Sequence, residues 1–185
     1  MIRMMVDHIG KKNSNGQLAV ILKTEDAESD AVYLLVWIVP YEAYAIVLTF
    51  SNRESEVPLI HDLFKSLISS SGVSVERVFI YGVSGDVFIS KIFFKNSGNY
   101  FELDSRASDG IAIAMRANAP IFVAEKVLNR YGRKKNGQLI RGGSGGDSDR
   151  VKRSKKVTDS DIKKMSAFAD LIEHLDIDDF IGEKD

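Results

Sequence analysis

One segment of this chain concentrates the residue types that handle phosphate: Leu103-Asp104-Ser105-Arg106-Ala107-Ser108-Asp109-Gly110-Ile111-Ala112-Ile113-Ala114-Met115-Arg116. It places two carboxylates and a guanidinium around a strand-to-helix junction. Arg106 can clamp a phosphate through two N–H groups at once, and the free backbone N–H groups of a helix start add to such an anion site. Glu102 and Asp104 share a strand face, and Asp109 can approach Asp104 from the first helical turn. Asp104 and Asp109 are therefore the candidate ligands for a divalent metal, Mg²⁺ or Mn²⁺, that activates water. The same acids also make sense structurally, because carboxylates early in a helix complement its dipole and satisfy its unpaired donors.

Two further positions carry chemistry. His61-Asp62 opens an amphipathic stretch, where His61 can act as a general base or metal ligand with Asp62 beside it. Glu42 follows Trp37-Ile38-Val39-Pro40-Tyr41 and lies early in a helix, where a carboxylate can enter a cleft. Dipole complementation accounts for Asp62 and Glu42 equally well. The candidate catalytic set is thus Glu42, His61, Asp62, Asp104, Arg106 and Asp109. The rings of Trp37, Phe79, Tyr81, Phe88, Phe93, Phe94, Tyr100 and Phe101 can stack bases, but their density in alternating strands favours core packing.

Charge is distributed unevenly. Residues 1–132 hold 13 Lys/Arg and 15 Asp/Glu, residues 133–157 hold 9 and 2, and residues 158–185 hold 3 and 9. A nearly neutral body is followed by a basic segment and an acidic end. Arg133, Lys134, Lys135, Arg150, Lys152, Arg153, Lys155 and Lys156 form a candidate nucleic-acid-binding arm, since flexible cations gain affinity for phosphate backbones by counterion release. Plain solvation of a low-complexity segment explains them as well.

The chain has no cysteine, which excludes disulfides, thiolate metal sites and a cysteine nucleophile, and its three histidines argue against a site built on several imidazoles. No Walker-type loop, dinucleotide fingerprint or nucleophile elbow occurs. The run Gly142-Gly143-Ser144-Gly145-Gly146 follows no strand and precedes no helix, so it is no phosphate cradle. The start of the sequence lacks a secretory pattern, and Val32–Pro40 is too short an apolar run to span a bilayer. A cytoplasmic location without membrane contact is expected.

The elements that must position these residues follow from periodicity. Met1–Ile9 and Gln17–Lys23 read as hairpin strands, and Val32–Val39 as a buried central strand. A helix starts at Pro40, with Ala43, Ile46, Val47 and Phe50 at helical spacing. A second follows Pro58, with Ile60, Leu63, Phe64, Leu67 and Ile68 on one face. Val73–Tyr81, Val87–Lys95 and Tyr100–Asp104 form an antiparallel meander. A helix begins near Ser105 or Ser108, then come a short strand at Ile121–Val123 and a helix over Ala124–Tyr131. The expected fold is α+β, a mixed or antiparallel sheet packed with a few short helices. Residues 1–132 form the domain, 133–157 a flexible Gly-rich basic linker, and 158–185 a tail whose Ile162, Met165, Ala169, Ile172 and Leu175 make an amphipathic helix. That helix can dock on the body or pair with a second copy, so a homo-oligomer is among the expectations.

Three blocks together carry a resemblance: Trp37-Ile38-Val39-Pro40-Tyr41-Glu42-Ala43-Tyr44-Ala45-Ile46, Pro58-Leu59-Ile60-His61-Asp62-Leu63, and Asp104 to Ala114 running on to Ala119-Pro120-Ile121-Phe122-Val123. Their order and spacing resemble the bifunctional nuclease domain family over residues 1–131. The resemblance implies a small α+β protein with nuclease activity on RNA and DNA. Glu42, His61, Asp62, Asp104, Arg106 and Asp109 match the polar positions of the family pattern. Val39 stands where the family usually has glycine, Ala107 where proline is common, and Gly110 where alanine is common. Gly110 is expected to weaken its helix by about 1 kcal/mol relative to alanine. The resulting expectation is metal-assisted phosphodiester hydrolysis of RNA or DNA. The alternative is a non-catalytic regulatory module that binds nucleic acid or another anion.

Overall fold

The period-two and apolar segments fold as seven strands of one sheet, to which a two-residue eighth strand adds, with the periodic helices packed against it. The computed structural model describes residues 1–11, 17–25, 30–51, 57–134 and 138–140, and the backbone of 155–156. The elements run β1 (Ile2–Lys11), β2 (Leu18–Thr24), β3 (Tyr33–Ile38), α1 (Pro40–Phe50), α2 (Ile60–Ser70), β4 (Ser74–Ser84), β5 (Val87–Asn96), β6 (Asn99–Arg106), α3 (Ala107–Ala117), β7 (Ile121–Val123), α4 (Glu125–Tyr131) and β8 (Lys155–Lys156). Strand order is β3-β2-β1-β7-β4-β5-β6, and β8 pairs with β1.

Two antiparallel groups, β3-β2-β1 and β4-β5-β6, are joined through three residues. Ile121–Val123 of β7 run antiparallel to Ile2–Met4 and parallel to Val78–Ile80. A parallel neighbour requires a crossover, and α3 supplies it by carrying the chain from edge strand β6 back to β7. Helix α3 therefore crosses the middle of the sheet and touches α1, α2, β3, β4, β5 and β6. Ile111, Ala112, Ile113 and Ala114 are all buried, as expected of a helix surrounded by protein. Asn118 ends it in the left-handed conformation, at φ 51°.

The α+β expectation, with its mixed sheet and short helices, holds. Three finer expectations change. Val32–Val39 was expected to be central, but β3 is an edge strand with Trp37 exposed. Its buried side chains, Leu34, Val36 and Ile38, share one face, while Tyr33 and Leu35 on the other are half-buried, and both α3 and α4 touch the strand. The apolar stripe of α2 is only half used: Phe64 and Ile68 pack on the core, whereas Ile60, Leu63 and Leu67 are 59%, 61% and 62% exposed. Gly110 is a packing requirement and not merely a weak helix former. A Cβ there would lie 2.7 Å from Ser90 Oγ and 2.9 Å from Val78 Cγ1, so the bare backbone lets α3 sit close on the sheet.

Beyond α4 the chain folds back on the body. Tyr33 and Arg133 exchange backbone hydrogen bonds, each 2.8 Å, and Lys134 N–H donates to Gln138 O at 2.8 Å. Lys155 and Lys156 pair with Lys11 and Gly10. The rest of the expected linker and the expected tail helix over 158–185 lie outside the described residues. Among the described residues no helix is long and apolar enough to cross a membrane.

Candidate active site at three helix N-termini

Helices α1, α2 and α3 begin alike, although only α1 and α2 bind the N-cap N–H through the acid. Their N-cap residues, Val39, Leu59 and Arg106, provide no side-chain cap. The third residue of each helix is instead an acid: Glu42, Asp62 and Asp109. Val39 N–H donates to Glu42 Oε2 at 3.1 Å, and Leu59 N–H donates to Asp62 Oδ2 at 2.9 Å. One carboxylate oxygen thus holds the helix start, as in the backbone half of a capping box. The other oxygen is free for longer-range partners.

Those partners connect the helix starts. Arg106 Nη1 lies 2.8 Å from Glu42 Oε1, and Ser108 Oγ donates to the same oxygen at 3.2 Å. On its other side, Arg106 grips Asp109 bidentately, Nε to Oδ2 at 2.9 Å and Nη2 to Oδ1 at 3.1 Å. His61 Nε2 approaches Asp109 Oδ1 at 3.6 Å, longer than a formed hydrogen bond. Asp62 faces away from this chain of groups, toward Arg116 Nε at 2.5 Å. Arg116 also donates to Ala112 O and Ala45 O, each at 3.2 Å, and so ties α1, α2 and α3 together behind the site.

Burial separates the roles. The Glu42 and His61 side chains are each 8% exposed, Asp109 31%, and Arg106 56%. The two carboxylates are therefore held from within, while the guanidinium between them faces solvent. His61 Nδ1 is buried and has no hydrogen-bond partner among the described residues.

The electrostatics agree with this arrangement. His61 first, and then Arg106, hold the Asp109 carboxyl below the usual carboxylate range against the opposing effect of burial. Asp109 in turn, with Glu42 adding to it, holds Arg106 protonated beyond its ordinary range. Burial pushes Asp62 up, but the Arg116 hydrogen bond, the Leu59 N–H and the Arg116 charge together leave it lowered.

The structure thus brings Glu42, His61, Arg106 and Asp109 together, with Asp62 adjacent and otherwise engaged. It does not bring Asp104 to Asp109. Asp104 pairs across with Lys91 and accepts a hydrogen bond from Tyr81 Oη at 3.1 Å, on the sheet face away from α3. Strand alternation sends Asp104 to one face and Ser105 to the other, where Ser105 Oγ meets Ser90 Oγ at 2.7 Å. Nor do the assembled donors fit a divalent ion. Glu42 Oε1 and both Asp109 oxygens already take guanidinium N–H groups, and among the described residues no cluster of three His or acidic side chains is arranged to hold a metal.

Sequence reasoning weighed Ser108 only as a cap and did not anticipate Arg116. The signal for Arg116 was a lone guanidinium in an otherwise apolar and small-residue helix. Of the basic arm, Arg133 and Lys134 are described at the β3 edge, and Lys155 and Lys156 through their backbone pairing. Lys135, Arg150, Lys152 and Arg153 lie outside the described residues.

Comparison with known proteins agrees with the blocks that build this site. An uncharacterized protein of Mycobacterium tuberculosis is 34% identical over 124 residues, which is 67% of this chain and 73% of that protein. Bifunctional nuclease 1 of Oryza sativa subsp. japonica and the bifunctional nuclease of Oryza minuta are each 31% identical over 121 residues. That match spans 63% of this chain but 35% of each rice protein. The family model described as the bifunctional nuclease domain matches residues 20–136, a span that contains Glu42, His61, Arg106 and Asp109. The chain belongs to the bifunctional nuclease domain family.

Proposed function

We propose that this chain hydrolyses phosphodiester bonds of single-stranded RNA or DNA at the Glu42–Arg106–Asp109–His61 network. The observation that supports this most is the half-exposed Arg106 guanidinium, held on two sides by carboxylates at converging helix starts. Three of its five N–H groups are engaged, to Glu42 and twice to Asp109, which leaves two for a phosphate oxygen. A guanidinium so fixed stabilises charge as it develops on phosphate without reorganising first.

An imidazole is the side chain suited to exchange a proton near neutral pH. His61 is the proton carrier in this proposal. Its Nε2 is directed at Asp109 but not saturated by it, so it can take a proton from the attacking water and return one to the leaving oxygen. Asp109 orients both His61 and Arg106, and Glu42 keeps the guanidinium in place. No step is routed through Mg²⁺ or Mn²⁺, because the donors as arranged are occupied by Arg106.

The test is cleavage of labelled single-stranded RNA and DNA by highly purified protein, with Mg²⁺, Mn²⁺ or EDTA, beside the same preparation of variants. Arg106→Ala is expected to lower the rate by about a hundredfold or more. Arg106→Lys is expected not to restore it, since an ammonium cannot reproduce the fork. A wild-type chain that cleaves neither substrate under any of these conditions, yet binds them, would replace this reading with the non-catalytic binding module.

A further inference from the structure

The three strands β4, β5 and β6 have two unlike faces. Toward α3, Val78, Ile80, Ser90, Ile92 and Phe94 are buried. On the opposite face none of the side chains of these strands is buried, and that face carries the rings of Phe79, Tyr81, Phe93 and Tyr100. Tyr100 is exposed, Tyr81 and Phe93 are half-buried, and Phe79 is half-buried and packs against the core. They are interleaved with cations: Arg77 Cζ sits 4.0 Å from the Phe93 ring centroid and Lys95 Nζ 5.7 Å from that of Tyr100. Phe79 and Tyr81 lie 6.4 Å apart, centroid to centroid. Arg77 Nε is buried with no hydrogen-bond partner among the described residues, a donor without an acceptor beside the rings.

We propose that this face of β4, β5 and β6, which no described residue buries, is a stacking platform for single-stranded nucleic acid that delivers the strand to Arg106. Tyr100 and Arg106 stand at the two ends of β6, about 20 Å apart along the strand, and Arg106, its last residue, turns a half-exposed guanidinium toward Glu42 and Asp109 at the junction with α3. That distance accommodates a few nucleotides between the outermost ring and the guanidinium. Bases offer the π-faces that exposed rings and guanidinium planes stack on, whatever their sequence. The chemistry fits an unpaired strand better than a protein partner. Three exposed aliphatic side chains that a protein would cover, Ile60, Leu63 and Leu67, cluster on α2, which packs on the other side of the sheet, against one, Val87, on the row of Lys91 and Phe93.

Acids on the same face set the energetic character. Lys91 is paired with Glu102, and Tyr81 donates to Asp104, so the platform carries little net charge. Binding there comes from stacking more than from counterion release, and it is shallow in its salt dependence. The platform deepens the nuclease reading, on which it rests for what happens to the bound strand, but binding can be measured apart from turnover.

The experiment is fluorescence anisotropy of labelled 12-nucleotide oligo(dT) and oligo(rU) with the full chain in EDTA, from low to high salt. Stacking predicts similar affinity for the two sugars and a log–log salt slope smaller in magnitude than about 2. Tyr100 is 66% exposed, so Tyr100→Ala should fold normally, and it is expected to bind at least about fivefold more weakly. Tyr100→Phe, which keeps the ring, should bind as wild type, as should Lys65→Ala on the helix side. Phe93→Leu provides a second ring deletion that preserves apolar volume and should weaken binding likewise. Undiminished affinity in both Tyr100→Ala and Phe93→Leu would overturn the platform. So would equal affinity for a duplex of the same length. Either result would leave the cleavage reading intact if Arg106→Ala still abolishes hydrolysis. Conversely, a chain that binds through these rings but never cleaves keeps the platform and loses the nuclease.

Discussion

Asp109 serves two neighbours at once, a guanidinium gripped by both oxygens and an imidazole that approaches one of them. Its position three residues after Arg106 was visible in the sequence, and so was the alternative reading as a helix-start acid. The structure shows that both are true of Glu42, whose Oε2 caps α1 while Oε1 reaches Arg106. A carboxylate has two oxygens, so capping and a second role need not compete. Asp104 was less legible. It lies five positions before Asp109 in the chain, but the alternation of β6 places it across the sheet. Sequence distance cannot reveal that without the point at which strand gives way to helix. The shifts at Asp62 and Asp109 carry a consequence for stability. Both are lowered in the folded state, so the stability they confer is present above the unfolded carboxylate range near pH 3.9 and is lost as pH falls through their lower folded values. Urea midpoints from pH 7 down to 2.5 should therefore fall steeply only below about pH 4, and less steeply in Asp109→Asn. A wild-type midpoint that does not change between pH 6 and pH 3 would contradict this.

At the scale of elements, α2 and α3 show where periodicity succeeds and where it stops. It located both helices, yet it could not tell which part of an apolar stripe meets the core. On α2 the buried member is His61, while Leu63 and Leu67 face outward. Leu63→Gln and Leu67→Gln should each cost no more than about 0.5 kcal/mol by urea denaturation, as at ordinary exposed positions. A loss of 2 kcal/mol or more for either would show that the residue is covered. On α3 the sequence marks Gly110 as a defect, whereas the close approach to Ser90 and Val78 makes it a requirement. Gly110→Ala should destabilise by about 1–3 kcal/mol in spite of alanine's better helix propensity. Because Ser90 Oγ is the nearest obstacle, Ser90→Ala should recover part of that loss in a double-mutant cycle. Simple additivity of the two substitutions would show that the contact is not what limits the site.

Across the whole molecule, the α+β class and the meander were readable from apolar alternation and short turns, and the mixed character followed from the α3 crossover to β7. The placement of β3 at an edge was not, because a short apolar run reads the same at an edge as in the middle of a sheet. The chain's organisation has a functional consequence. Helix starts meet on one side of the sheet to form the charged network, while the far side of β4, β5 and β6 carries the half-buried Phe79, Tyr81 and Phe93 and the exposed Tyr100. Asp104 and Asp109, five residues apart, belong to these different sides. Two otherwise identical changes should therefore have unequal effects, and the decisive measurement is the single-turnover cleavage rate of a labelled single-stranded oligonucleotide by Asp109→Asn and Asp104→Asn. Asp109→Asn is expected to lose about a hundredfold or more, with Asp104→Asn staying within about threefold of wild type. Full activity in Asp109→Asn, or an equal loss in both, would contradict the assignment of catalysis to the network at the helix starts.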